Sequence, residues 1–388
     1  MEVKEKTKKV ILTNLCRAIR AGGFKLSALL FWCNMNITRG YSFDDVLLVP
    51  KKSQIESRNS IDISTDLGRG IVLQKPIVSA NMKHVTGHRM AYEIALSGGL
   101  ALLHRFESEE DRFYSFVRAI SLSDHNGEWM PGRQTNLLDC KIGMSFGISD
   151  KEKAFFSSVA KRLSKHLKIV CIDVAHGHHN NCLKMIEYVR KETPDMLIIA
   201  GNVATPEGAV DMLYEGADVV KVGVGPGSLC TTRVETGNGV PQLTAVANIY
   251  NKIQGLRNEY IGTKIIADGG IKSAGDITKA LCFSNAVMLG NLLAGTDQAP
   301  GEIITLKGQQ YKQYAGSSTH KTRNIEGVIG VVPYRGNVNN VIDRLVQGLQ
   351  SGMSYQGAEN LESLRKDPQF VEISNAGIVE SRPHDVIL

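Results

Sequence analysis

Long apolar runs are missing from this chain. The segment Val10 to Cys33 mixes apolar residues with Arg17, Arg20 and Lys25, and its longest uninterrupted stretch is Leu26–Cys33. That is far below the roughly 18 residues a membrane span needs, so no membrane partner is expected. Paired cysteines are missing too. Cys16, Cys33, Cys140, Cys171, Cys182, Cys230 and Cys282 form an odd, scattered set without a CxxC pair. This argues against a disulfide framework and a structural zinc site, and makes a reducing, cytoplasmic setting the expectation. Excess charge is confined to one end. Of the formal +6, residues 1–34 carry five Lys and two Arg against Glu2 and Glu5, which leaves the main body close to neutral. A broad nucleic-acid face on the body is thereby excluded. No GxGxxG fingerprint opens a first βα unit, so a nicotinamide cofactor would have to lie across some other surface. His176, His178 and His179 lack the carboxylate spacing of an HExxH site and read as a helix start, with no metal assigned to them.

What is present is an ordinary globular composition, 43% hydrophobic and 22% charged, enough for a substantial core. Residues 1–34 read as a basic extension, disordered or dispensable, or alternatively as a targeting segment; the domain proper is expected over 35–388. From residue 76 onward, short β-branched runs recur at Pro76–Met82, Gly99–His104, Lys141–Gly147, Ile169–His176, Leu197–Val203, Asp218–Gly225, Ile265–Gly270 and Ala286–Gly290. Between them lie helical spacings, such as Cys182, Met185, Ile186 and Val189, and the start signal Thr205-Pro206-Glu207 ahead of Ala209, Met212 and Leu213. Apolar strands alternating with amphipathic helices imply parallel strands buried on both faces. Eight such units fit an α/β fold of the (β/α)8 TIM-barrel type, with a doubly wound sheet as the alternative.

Polar and glycine residues gather where the strands end, the face on which a barrel carries its chemistry. In Gly223–Arg233 (GVGPGSLCTTR), glycines and Pro226 allow a sharp turn whose successive amides form an anion nest. The alternative is that its carbonyls, those of Gly225 and Gly227, face a monovalent cation such as K+. Cys230 follows this loop beside two hydroxyls and Arg233, a setting that suits a nucleophile; the other six cysteines read as inert. Asp268-Gly269-Gly270 and Gly290-Asn291 end the last two strands, where Asp268 is placed for ribose hydroxyls and the glycines for a phosphate. Asp173 ends an earlier strand and is the polar group best placed to meet a second ligand.

These loops, together with Thr236–Val246 (TGNGVPQLTAV), Ile266–Gly270 and Ala286–Gly301, resemble the inosine monophosphate dehydrogenase and guanosine monophosphate reductase superfamily from about residue 36 to the C-terminus. The resemblance implies a single barrel domain, a homotetramer, a purine nucleotide (GMP or IMP) as substrate and a nicotinamide cofactor. It implies Cys230 as nucleophile and Thr232 with Glu326 as proton relay. It also implies Ser79, Ser228, Asp268, Gly270, Gly290, Asn291, Ser318 and Arg323 around the nucleotide, and Asp173, Ala175 and Asn202 around the cofactor.

Three features favour the reductase branch, hence GMP + NADPH giving IMP and ammonia. His104-Arg105-Phe106, Asp173–His178 and the short Tyr311–Gly327 segment resemble the bacterial reductase subgroup, and two further elements are lacking. Only residues 107–140 separate the second and third barrel strands, too few for the regulatory modules dehydrogenases usually insert there. Residues 317–326 (SSTHKTRNIE) contain no Arg-Tyr pair of the kind dehydrogenases use to activate water. Two others favour the dehydrogenase: the tail Ile373–Val386 (ISNAGIVESRPHDV), and Arg105 where many reductases have lysine. Sequence alone therefore favours GMP reductase, with an IMP dehydrogenase lacking regulatory modules as the alternative, and a non-catalytic nucleotide-binding protein behind both.

Overall fold

The computed structural model describes residues 37–121, 141–256, 262–316 and 327–383. Within the unit Tyr41–Leu388, β1 (Val46–Leu48) and the short hairpin of β2 (Thr65–Asp66) and β3 (Val72–Leu73) precede a closed barrel. Its strands are β4 (Ile77–Ser79), β5 (Leu100–Leu103), β6 (Ile142–Phe146), β7 (Ile169–Asp173), β8 (Leu197–Val203), β9 (Val219–Val222), β10 (Lys264–Asp268) and β11 (Ala286–Leu289). Each expected run supplies one strand. All eight neighbours pair in parallel, and β11 closes on β4 through Val287↔Ile77 to Leu289↔Ser79. The doubly wound alternative is set aside by that closure.

Outer helices α1 (His88–Leu96), α2 (Glu109–Ser121), α3 (Asp150–Arg162), α4 (Asn180–Glu192) and α5 (Pro206–Tyr214) come after β4 to β8 in turn. The apolar stripe predicted for α4 is the stripe that packs inward, since Cys182, Met185, Ile186 and Val189 are all fully buried. The start of α5 also forms as its sequence requires. Thr205 Oγ1 accepts from the Gly208 amide, and Pro206 occupies the first turn, where its missing N–H costs nothing. After β9 come the short α6 (Thr232–Thr236) and α7 (Gln242–Gly255); after β10 comes α8 (Ala274–Leu281), capped by Ser273.

Beyond β11 the chain departs from the simple strand–helix alternation expected of it. A single turn, α9 (Asn291–Ala294), leads into an antiparallel sheet of β12 (Ile303–Leu306), β13 (Gln309–Ala315) and β14 (Ile329–Pro333) before the long α10 (Val338–Tyr355) completes the outer ring. The chain then runs through α11 (Leu361–Arg365), β15 (Phe370–Glu372), which pairs antiparallel with β1, and α12 (Asn375–Glu380). Among the described residues no helix is long and apolar enough to cross a membrane.

Candidate active site at the barrel mouth

Three groups of side chains stand at the C-terminal ends of the strands. The first is ionic. β9 is Val219-Val220-Lys221-Val222, and Lys221 is as buried as its valine neighbours, with 2% of its side chain exposed. A buried ammonium is costly unless paired. Its Nζ donates at 3.0 Å to Asp173 Oδ1 at the end of β7, at 3.0 Å to Asp268 Oδ2 at the end of β10, and to Asn202 Oδ1 from β8. Asn202 Nδ2 in turn donates to Asp268 Oδ2 and to the Gly223 carbonyl, each at 2.8 Å. Arg105 Nε donates to the Asp173 carbonyl at 3.0 Å and lies 3.7 Å from its carboxylate, with its guanidinium over the Phe106 ring. Burial pushes the Asp173 carboxyl up, but Lys221 and Arg105 outweigh it and hold it below the ordinary carboxylate value. Burial likewise works against the charge on Lys221, yet Asp268 and Asp173 keep its pKa above that of a free lysine.

The second group is the loop after β9. Gly223 passes so close to β10 that a Cβ there would sit 2.0 Å from the Asp268 carbonyl, with φ at +153°, so only glycine fits. The loop carries Cys230, half-buried, whose Sγ donates to Thr232 Oγ1 at 3.0 Å. Cys230 forms an antiparallel bridge with Gly327, and the Val328 amide donates to the Leu229 carbonyl at 3.2 Å. The residue that comes directly after Glu326 in sequence is thus laid against the thiol's own backbone.

The third group suits a phosphate. β13 brings Tyr314 to the mouth, where its hydroxyl would be 2.8 Å from a Cβ on Gly290, donates to Met82 Sδ at 3.7 Å and interacts electrostatically with the Ser228 side chain. Desolvation raises the Tyr314 pKa above that of free tyrosine, which keeps the phenol a donor. Gly290 caps α9, whose first residue Asn291 accepts from Arg335 at 3.3 Å. Gly270 is held at φ +78° beside Gly269, which packs on Pro226.

Of the residues expected from the sequence, Asp173, Asn202 and Asp268 join one network, Cys230 and Thr232 are hydrogen-bonded, and Ser228 meets Gly290 through Tyr314. Ala175 is exposed on the loop after β7. Ser79 is fully buried at the end of β4, its hydroxyl without a hydrogen-bond partner among the described residues, and Ala80 and Met82 stand against Gly290. Ser318, Arg323 and Glu326 lie outside the described residues. Sequence reasoning missed Lys221, Tyr314 and Gln242, whose Nε2 holds the Val222 and Asp268 carbonyls together at 2.8 and 3.1 Å. The available signal was a lysine inside an otherwise apolar barrel strand.

The histidines divide as a helix start should: His179 Nδ1 caps α4 through the Asn181 amide, and His178 pairs with Asp211 at 2.8 Å. His104 is buried, and desolvation, helped by Lys83 and Arg112, lowers its pKa to about 4. It is therefore neutral near pH 7 and poorly matched to acid catalysis there. Burial pushes the Cys171, Cys182 and Cys282 thiols up to about 12, which suits inert core positions. Cys182→Ala and Cys282→Ala should each cost about 0.5–3 kcal/mol of stability and leave kcat unchanged. Thermal melts alongside steady-state rates check this.

The IMP dehydrogenase / GMP reductase domain pattern matches residues 40–384, which takes in every barrel strand and the loops of the mouth. The chain belongs to the IMP dehydrogenase / GMP reductase family. Relatives span it almost end to end. An inosine-5'-monophosphate dehydrogenase of Nitrosopumilus maritimus is 31% identical over 480 aligned positions, covering 91% of this chain and all of that protein. One of Borreliella burgdorferi is 33% identical over 396 positions, covering 89% and 96%. One of Streptococcus pyogenes is 32% identical over 491 positions, covering 92% and 97%. As a member of this family the chain is an oxidoreductase-type barrel, and the three side-chain groups occupy the mouth of that barrel.

Proposed function

We propose that this chain is an IMP dehydrogenase: IMP + NAD+ + H2O gives XMP + NADH + H+. The observation that carries this reading is the Borreliella relative. It bears the dehydrogenase name, and 396 aligned positions exhaust 96% of it. A protein of about this chain's own length, without room for long inserted modules, thus sits on the dehydrogenase side, so the short 107–140 connection no longer favours the reductase. The dehydrogenase-like tail Ile373–Val386 agrees.

In this reading Cys230 adds through sulfur to C2 of the purine, which makes C2 tetrahedral and able to release its hydrogen as hydride. Bound NAD+ supplies the acceptor for that hydride. Water then adds at C2, loses a proton, and expels the sulfur, so the thiol is restored and XMP leaves. The Tyr314, Ser228, Gly290, Asn291 and Gly270 cluster holds the 5'-phosphate, and Asp268 holds the ribose hydroxyls. Asp173, Ala175 and Asn202 border the nicotinamide half. The carbonyls of Gly225 and Gly227 are neutral oxygen dipoles, a donor type suited to a singly charged ion such as K+. Gly227 already accepts from the Cys230 amide at 3.0 Å and has one lone pair left for it.

Water needs a base. With no Arg-Tyr pair in 317–326, that duty falls to Thr232 and Glu326: a hydroxyl–carboxylate relay that can deliver a proton can equally remove one. Glu326→Gln should therefore lower steady-state turnover by at least about tenfold, the lower end of the range for a general acid or base. In rapid-quench kinetics hydride transfer should remain fast while hydrolysis slows.

A second reading, GMP reductase, is favoured by the ten-residue 317–326 stretch without that pair. There the same relay protonates departing ammonia, and NADPH delivers hydride to C2. Following reduced-cofactor absorbance with IMP plus NAD+, and separately with GMP plus NADPH, decides between them. Formation of NADH and XMP supports the dehydrogenase; consumption of NADPH with release of ammonia supports the reductase and overturns our reading.

A further inference from the structure

Lys221 has a place in the site that a nucleotide contact cannot explain. Its ammonium has three N–H donors, and all three are engaged, by Asp173, Asp268 and Asn202. Nothing remains to offer a ligand. The lysine is also deeper than its partners: 2% of its side chain is exposed, against 16% for Asp173 and 22% for Asp268. The carboxylates therefore reach the barrel mouth while the charge that balances them lies in its floor.

The bonds are unevenly distributed over the carboxylate oxygens. Asp268 Oδ2 takes both Lys221 and Asn202, and among the described residues Oδ1 accepts no hydrogen bond. Asp173 is tied by Lys221 through Oδ1 and faces Arg105 at 3.7 Å through Oδ2. Arg105 thus serves Asp173 alone, and Lys221 is the only cation paired with Asp268 among the described residues.

We propose that Lys221 is a positioning residue: one buried ammonium fixes the rotation and charge of Asp268 so that Oδ1 meets the nucleotide ribose, and ties that carboxylate to Asp173 on the cofactor side. This rests on the nucleotide reading above and deepens it. Each carboxylate lies 3.0 Å from the same Nζ, so the two are at most twice that distance apart. Without the lysine they form a half-buried like-charged pair in which one carboxyl releases its proton at higher pH than a lone carboxyl would. The other titratable or charged groups facing the cluster are Arg105, the Cys171 and Cys182 thiols and the Tyr314 phenol. The thiols and the phenol stay protonated through neutrality and Arg105 is engaged with Asp173, so none replaces the missing cation at Asp268.

The test is equilibrium binding of IMP to the full-length protein at about pH 6.5 to 8.5, above most of the phosphate's own titration near 6. The proteins compared are wild type, Asp268→Asn, Lys221→Met, Lys221→Arg and Lys221→Met/Asp173→Asn. Lys221→Met should weaken IMP by at least about tenfold at neutral pH, the loss expected for a disrupted charge-assisted contact. It should also acquire a pH dependence absent from wild type, with affinity rising as the pH rises and the pair loses that proton. Lys221→Arg should recover part of the loss. Lys221→Met/Asp173→Asn, which removes the second carboxylate, should recover affinity and abolish the new pH dependence. If Lys221→Met does not fold, the charge-balanced double variant is still expected to fold and bind.

A lysine that merely fills space predicts none of this pattern. Weakening without pH dependence, or a double variant that binds no better than Lys221→Met or fails to fold, overturns the proposal while leaving the nucleotide reading intact. Wild type that does not bind IMP, or binding indifferent to Asp268→Asn, overturns the nucleotide reading and the proposal with it.

Discussion

Cys230→Ala abolishes turnover and leaves IMP binding within about tenfold of wild type, because the thiol acts only in the reaction whereas phosphate and ribose contacts supply ground-state affinity. The structure separates these duties in space. The half-buried thiol bonds to Thr232, while Asp268 ends β10, Gly290 caps α9 and Tyr314 lies on β13; Ser228 shares the loop of Cys230. Removing Sγ deletes no polar contact of either nucleotide-holding group. Isothermal titration with IMP and a steady-state assay on the same preparation check both halves. Substantial residual turnover removes the covalent route, and loss of binding together with activity shows that the loop, not the sulfur, was disturbed.

Asp268→Ala raises KM for the nucleotide by roughly ten- to a hundredfold, since a hydrogen bond to a charged group contributes on the order of 1.5–3 kcal/mol. The variant also deprives Lys221 and Asn202 of the acceptor they share at Asp268 Oδ2, whereas Asp268→Asn keeps the side-chain shape and one carbonyl acceptor. Steady-state kinetics with the free nucleoside sharpen the result. If the ribose contact resides at Asp268, loss of the carboxylate weakens inosine as well as IMP, whereas loss of a phosphate donor such as the Tyr314 hydroxyl weakens IMP alone. Equal KM values for wild type and Asp268→Ala contradict the assignment.

The barrel was legible in the sequence because its parallel strands are buried on both faces and therefore read as continuous apolar runs, as in Ile142–Phe146 and Ile169–Asp173. The loop Gly223–Arg233 was legible because close approach demands glycine, and the 2.0 Å gap beside the Asp268 carbonyl gives the reason at Gly223. The β12–β14 sheet was not. Its strands mix exposed Ile303, Ile304 and Ile329 with glutamines and lysine, so neither a clean alternation nor a buried run appears. Tyr314, which that sheet delivers, was missed for the same reason.

Lys221 was hidden differently. Its three partners are 19, 47 and 48 residues away in sequence, and only closure of the barrel brings β7, β8 and β10 around one ammonium.

Whether Cys230 carries the purine covalently in the dehydrogenase direction is read out by mass spectrometry of the Cys230 peptide after rapid acid quench of enzyme, IMP and NAD+. With no Arg-Tyr pair in 317–326, hydrolysis is expected to lag behind hydride transfer. The predicted result is a nucleotide adduct on Cys230, an early burst of NADH approaching one per subunit, and slower appearance of XMP. NADH formed steadily with an unmodified Cys230 peptide, or no NADH from IMP at all, contradicts the covalent dehydrogenase route.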